Sequence, residues 1–367
     1  MSALLSAVRS SVAPTLHRRT MSSLPQKQKG VFFTRDTRTI REFPVVPPGP
    51  GEVLIKNVAV ASNPKDWKVV IWTDLETVEG NDVAGYVEAV GEGITEYKKG
   101  DKVAAFTKMR QADPRWGAYQ EYSTAPLNTV FPLGPRTTFE EAATLPLAVG
   151  TAFTGLYRRL RIPPFTDTSK PLAGEPVVIY GASSSVGSYA VQLAKLSGMY
   201  VVGIAGSSAD VALGLGADKV VDYRGRSREE VVKDVQAALE GRPLHHVFDI
   251  VSNDETIKTG IDLLRPAGGR FTYVLHLPED LVIPDNIETE RTGVHTAYGD
   301  DAEFAGEIYR ALSPLVENGT FKPNKVRIIP GGLGGVAEGV ALLKANKVHG
   351  EKLVYRIAET EGLAASS

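Results

Sequence analysis

Gly181, Ser184 and Gly187 recur every third residue in Tyr180-Gly181-Ala182-Ser183-Ser184-Ser185-Val186-Gly187. The segment follows a short apolar run, Val177-Val178-Ile179-Tyr180, and leads into a helical pattern from Val186 to Leu196. Small residues permit a tight strand-to-helix turn, and the helix N-terminus behind it offers free N–H groups to a pyrophosphate. The dinucleotide fingerprint expects a central glycine where Ser184 stands. The turn alone therefore also fits an ordinary strand-to-helix connection, and the β/α alternation that follows favours the dinucleotide. About twenty residues on, an NAD site places an acid for the ribose 2′-hydroxyl. Here the stretch is Gly203-Ile204-Ala205-Gly206-Ser207-Ser208, with no acid before Asp210. Ser207 and Ser208 would accept a 2′-phosphate that a carboxylate would repel, so NADPH is the expected cofactor. Tyr223 and Arg224 follow the next strand and could add contacts. Ser207 and Ser208 also suit a helix N-cap, and the two roles are compatible.

Other chemistries find little support. Cysteine is absent, which removes disulfides, thiolate nucleophiles and Cys-containing zinc sites. No H-E-x-x-H or nucleophile–base pattern accompanies the six histidines. A net charge of −2 without basic runs gives no footprint for nucleic acid. No apolar stretch approaches eighteen residues, so no transmembrane helix is expected. The first residues carry Arg9, Arg18 and Arg19, many serines and no acid before Asp36. This start reads either as a mitochondrial targeting segment or as a disordered tail, with Met21 an alternative start, and residues 1–26 are set aside from the fold. Otherwise the expected location is cytoplasmic.

The 367 residues suit two domains. Gly51 to Ala61 alternates apolar and polar residues as a half-buried strand, Asp82 to Val90 reads as a second, and Lys98 to Val103 as a turn into a third. Up to about Pro146 strands and turns dominate, with few helical periods. After Gly150 strands alternate with helices: Val177–Tyr180, Tyr200–Ile204, Lys219–Asp222, His246–Val251 and Arg270–Leu275 are the strands. That alternation argues a doubly wound parallel sheet. Leu275 and His276, at a strand's carboxyl end, should then approach the nicotinamide. The tail, with strands Lys325–Ile329 and Lys352–Ile357, is expected to rejoin the first domain. The division is thus 27–150 with 300–367 against 151–299.

Three segments together resemble the medium-chain dehydrogenase/reductase superfamily. They are Gly80-Asn81-Asp82-Val83-Ala84-Gly85-Tyr86-Val87 with Gly100-Asp101-Lys102-Val103, Ala142 to Ala152, and the glycine turn. The resemblance implies an α/β fold: a GroES-like, mostly β domain plus a Rossmann-like domain with a doubly wound parallel sheet, the active site lying in the cleft between them. Asn63-Pro64-Lys65-Asp66-Trp67-Lys68 and Gly350-Glu351-Lys352-Leu353-Val354-Tyr355 are similar to zinc-free quinone-reductase-like proteins and fungal trans-acting enoyl reductases. Where zinc-dependent members place Cys and His-Glu, this chain has Asn63 and Asn81-Asp82, so no metal is expected.

By that resemblance, NADPH would deliver hydride to an enoyl, enone or quinone acceptor, the substrate being a small molecule or an acyl chain on a carrier. A polyketide synthase is then the implied partner. Thr151 falls where the family contacts the nicotinamide side. Some enoyl reductases use a tyrosine after the N-P-x-D segment; this chain has Trp67 and Trp72 instead. Lys68 is the expected group for orienting substrate or stabilising an enolate, and Asp66 either assists or holds the loop. A zinc-independent alcohol or aldehyde dehydrogenase and a non-catalytic nucleotide-binding protein are the alternatives. Monomer and homodimer are equally compatible with the sequence.

Overall fold

A computed structural model describes residues 24–363. The targeting reading falls on residues that lie largely outside that range.

The chain opens with β1 (Lys27–Phe33) and β2 (Arg38–Pro44), an antiparallel pair. Next come β3 (Glu52–Ala61), α1 (Lys65–Trp72), β4 (Thr77–Val78), β5 (Asp82–Val90), β6 (Lys102–Phe106), β7 (Tyr122–Pro126) and β8 (Val130–Pro132). β4 completes a three-stranded sheet with β1 and β2. β3 is the spine of the other sheet: β5 pairs along its length, and β7 takes the opposite edge near the start of the strand. Its Val53, Ile55, Ala59, Val60 and Ala61 are fully buried, so the alternation read in the sequence gives way to burial on both faces. The expectation of few helical periods misses α1. Its Lys-Asp-Trp-Lys-Val-Val-Ile-Trp is rich in β-branched and aromatic residues, but Pro64 sets φ to −57° at the helix start and Val69 and Val70 dock into the core.

α2 (Phe139–Ala142) precedes α3 (Pro146–Phe153), which continues through a π-helical stretch to Arg159 as one rod spanning residue 150. β9 (Pro176–Tyr180), α4 (Ser185–Leu196), β10 (Tyr200–Ala205), α5 (Ala209–Gly214), β11 (Lys219–Asp222), α6 (Arg228–Ala238), β12 (His246–Asp249), α7 (Asp254–Leu264), β13 (Gly269–Tyr273) and β14 (Ile287–Arg291) follow. Their strands form one parallel sheet in the order β11-β10-β9-β12-β13-β14. The chain runs outward from β9 in one direction and then in the other, the arrangement that leaves a crevice at the strands' carboxyl ends. β14 is absent from the sequence reading because Ile-Glu-Thr-Glu-Arg is too polar to resemble a buried strand.

α8 (Ala302–Glu317) then packs on β8. β15 (Val326–Ile328), α9 (Val336–Lys344) and β16 (Lys352–Arg356) bring the chain back to the sheet built on β3, β16 pairing antiparallel with β3. Near the two ends of the described chain, the Lys29 ammonium donates to the carbonyls of Glu361 and Gly362 at 3.1 and 2.9 Å. No helix among the described residues is long and apolar enough to cross a membrane.

His246 opens β12 with its ring buried and Nδ1 unpartnered. Burial, with His245 and Arg270 adding nearby positive charge, pushes the imidazole down to about 4. The unfolded ring titrates near ~6.5, so between these values the unfolded chain binds a proton that the folded chain refuses. The contribution is whole above the unfolded pKa and is lost as pH falls through it. Urea unfolding should therefore lose about 2 kcal/mol from this group between pH 7 and pH 5, and His246→Gln should show a shallower acid decline.

Candidate active site

A cleft of about 670 Å³ runs along the carboxyl ends of the parallel strands and is closed from the other side by Ser62, Pro64 and the segment 346–353. Its centre is the glycine turn. Gly181 takes φ +82°, a left-handed conformation that a side chain would strain. Ser184 is the N-cap of α4, its Oγ accepting from the Gly187 N–H at 3.1 Å. A Cβ at Gly187 would lie 2.1 Å from the Gly181 carbonyl, so glycine is needed for helix and strand to meet. Gly181, Ser183, Ser184 and Ser185 line the cleft; Ala182, Val186 and Gly187 do not, and shape the turn from behind. The first turn of α4 thus presents backbone N–H groups and hydroxyls where a pyrophosphate would lie.

At one end of the cleft stand Ser207, Ser208 and Tyr223. Ser208 precedes α5, but its hydroxyl makes no cap hydrogen bond and stays available. Arg224 is committed elsewhere, its guanidinium fork closed on Asp222 at 2.6 and 3.0 Å. The cations at this end are Arg226 and Arg228, which the sequence reading passed over. Arg226 meets Asp234 at 3.3 Å and Arg228 meets Asp262 at 3.1 Å. The run Arg224-Gly225-Arg226-Ser227-Arg228 directly after β11 was the available signal. Leu275 and His276 lie beyond the end of β13, which stops at Tyr273 and not at Leu275; neither lines this cleft, and His276 is exposed.

On the opposite wall, the Lys352 ammonium is only 3% exposed. It donates to Asn63 Oδ1 at 2.6 Å and pairs with Asp82 Oδ2 at 3.0 Å. Asn63 Nδ2 also donates to that carboxylate oxygen at 2.7 Å, while Asp82 Oδ1 accepts the Leu147 N–H at 2.6 Å. Asn63 and Asp82 occupy the positions of the metal ligands in zinc-dependent sequences. With an ammonium seated between their oxygens, this donor set does not fit a divalent cation. Among the described residues, no group of three His, Cys, Asp or Glu side chains could hold one. Asn81 points away and donates to Thr107 and Lys108.

Thr151, buried on α3, donates its hydroxyl to the Leu147 carbonyl at 2.8 Å. Asp66 is fully buried: it accepts the Asn63 N–H at 2.8 Å and the Tyr119 hydroxyl at 2.5 Å, and pairs with Lys65 at 3.1 Å. Lys68 lies apart from that network, half-buried, with its Nζ 5.4 and 5.6 Å from the rings of Trp67 and Trp72. Burial lowers its pKa.

Residues 49–135 match the alcohol dehydrogenase GroES-like domain, and residues 185–313 match the zinc-binding dehydrogenase domain. The chain belongs to the medium-chain dehydrogenase/reductase superfamily. Within it, the trans-enoyl reductase fsr4 of Gibberella fujikuroi is 36% identical over 83% of this chain and 91% of its own length. The trans-enoyl reductase resD of Aspergillus sclerotiorum is 32% identical over 90% and 97%. The crystal structure of the CurK enoyl reductase shares the fold, with a TM-score of 0.71 at 21% identity over 90% of this chain and 99% of that one.

Removing the Lys352 charge alone strands Asp82 in the interior. Lys352→Met should cost about 3–5 kcal/mol in urea unfolding, and Lys352→Met combined with Asp82→Asn should regain most of it.

Proposed function

We propose that this protein is an NADPH-dependent reductase of a carbon–carbon double bond conjugated to a carbonyl, acting on an enoyl or enone substrate or a quinone. The observation that carries the reading is the pairing of the two cleft walls: a dinucleotide cradle faces a site where an internal ammonium stands in the metal's place. Similarity to trans-enoyl reductases supports the same chemistry, and favours an acyl chain held on a carrier, with a polyketide synthase as partner. An alcohol dehydrogenase reading would need a polarising group that Asn63, Asp82 and Lys352, bound to one another, leave no room for.

In this reading residues 27–150 and 300–367 form the catalytic unit and residues 151–299 the cofactor-binding unit. Ser183, Ser184, Ser185 and the N-terminal N–H groups of α4 hold the pyrophosphate. Ser207, Ser208, Tyr223, Arg226 and Arg228 hold the adenosine 2′-phosphate; the arginines supply charge-assisted hydrogen bonds that a bare 2′-hydroxyl cannot use. Thr151, on α3, borders the nicotinamide end, whereas Leu275 and His276, outside the cleft, take no part. The bound cofactor supplies a hydride. Lys68 orients the substrate, its ammonium held over two indole faces with no carboxylate of its own. The charge that develops on the substrate oxygen needs donors already in place, which a water-poor cleft makes more effective.

Incubation with NADPH and a panel of enones, quinones and enoyl thioesters, followed at the nicotinamide absorbance, tests the reading. Oxidation of NADPH by a conjugated acceptor, with no oxidation of simple alcohols, is expected. Tight cofactor binding with no turnover of any acceptor would instead leave a non-catalytic nucleotide-binding protein. Replacing Arg226 and Arg228 together by alanine should weaken NADPH binding about 10- to 100-fold and leave NADH binding nearly unchanged, as read by fluorescence titration.

A further inference from the structure

Hydride addition at the β-carbon leaves an enolate whose α-carbon must take a proton, and neither tryptophan of α1 can give one. We propose that Lys65 hands over this proton and that the buried Lys65–Glu79–Asp66 cluster is its store. The inference rests on the reductase reading and adds to it the acid that the reading lacks.

Lys65 opens α1 directly after Pro64, which lines the cleft together with Ser62. Its side chain is 12% exposed, and its Nζ lies 2.7 Å from Glu79 Oε2 and 3.1 Å from Asp66 Oδ1. An ammonium has three N–H donors, so neither carboxylate claims the third. Tyr298, whose hydroxyl accepts the Met109 N–H at 3.1 Å, lies within electrostatic reach of both Lys65 and Arg110. Lys65 and Lys68 are three residues apart on one helix face, yet their surroundings are opposite. Lys68 has indole rings for neighbours and, among the described residues, pairs with no acid from which to recover a proton. Lys65 has two.

The charge count explains the store. One ammonium faces two carboxylates, all three buried, and the surplus negative charge is costly away from water. A proton kept on Lys65 offsets part of it. Asp66 also accepts the Asn63 N–H and the Tyr119 hydroxyl. Among the described residues, Glu79 has, besides Lys65, only the Gly80 N–H at 3.4 Å. Burial pushes the Glu79 carboxyl up, although Lys65 opposes the shift. Burial also pulls at Lys65, but pairing with Glu79 and Asp66 more than reverses that pull and its pKa is raised. Lys65 therefore stays charged until a base as strong as an enolate carbon meets it.

The step balances. Hydride adds to the β-carbon and the π electrons move to form the enolate. The α-carbon then takes a proton from Lys65 Nζ as the carbonyl re-forms. A solvent proton taken up at the Glu79 carboxylate then passes to the neutral amine, so the ammonium is restored and Glu79 is left as it began.

Lys65→Arg separates this role from a structural one, because a guanidinium keeps the charge and can reach both acids but does not release a proton. The variant should keep wild-type thermal unfolding and NADPH affinity. Turnover should fall about 100-fold or more, the size of a general-acid contribution. In D₂O the wild type should place deuterium on one face of the α-carbon, and Lys65→Arg on both. Glu79→Gln, nearly isosteric, should slow turnover and enlarge the solvent isotope effect. Wild-type rate and one-face deuteration in Lys65→Arg would remove the proposal while leaving the reductase reading in place. Failure of the wild type to reduce any conjugated acceptor would remove the reading, and the proton store with it.

Discussion

The Lys352–Asp82 pair is the contact on which the cleft depends. Asp82 begins β5, Lys352 begins β16, Asn63 precedes α1, and Leu147 lies in the first turn of α3; four segments distant in sequence meet at one carboxylate. Both charges are almost out of contact with water, so each is tolerable only because the other is there. The pair consumes the acceptors that a metal would need and fixes the floor of the cleft. It also fixes the end of the segment 346–353, which runs beside the cofactor cradle, where Gly350 faces Ser208. A single ion pair therefore sets the spacing between the two walls of the cleft.

Much of this architecture is visible in the sequence, for definite reasons. β9, β10 and β12 are short apolar runs between turn residues, a pattern that buried parallel strands impose. Ser184, Ser227 and Asn253 stand at helix starts as capping side chains. The glycine turn is legible because Gly181 and Gly187 answer steric demands that other residues cannot meet. α1 is not legible, since its residues prefer strands and only docking makes them helical. β14 is hidden by its two glutamates.

The site is less legible in the sequence than the fold. The turn serines, Ser207, Ser208 and Tyr223 do converge on one cleft, whereas Leu275 and His276 stand outside it because β13 ends two residues early. Local spacing could have marked Arg226 and Arg228, which share one turn after β11. It could not have marked the partnership of Lys352 with Asn63 and Asp82, which only the closing of β16 onto β3 creates. Lys65 and Lys68 are indistinguishable as letters; their different neighbours, two carboxylates or two indoles, exist only in three dimensions.

The Lys29 contact with Glu361 and Gly362 brings the two ends of the described chain side by side. Neighbouring ends allow a folded unit to be spliced into a loop of a larger polypeptide without stretching either partner. A stand-alone enzyme and a module embedded in a multidomain assembly could thus share this scaffold, the difference lying in the joints and not in the cleft. A circularly permuted chain, joined across that contact and opened at an exposed loop, would keep every strand pairing described above.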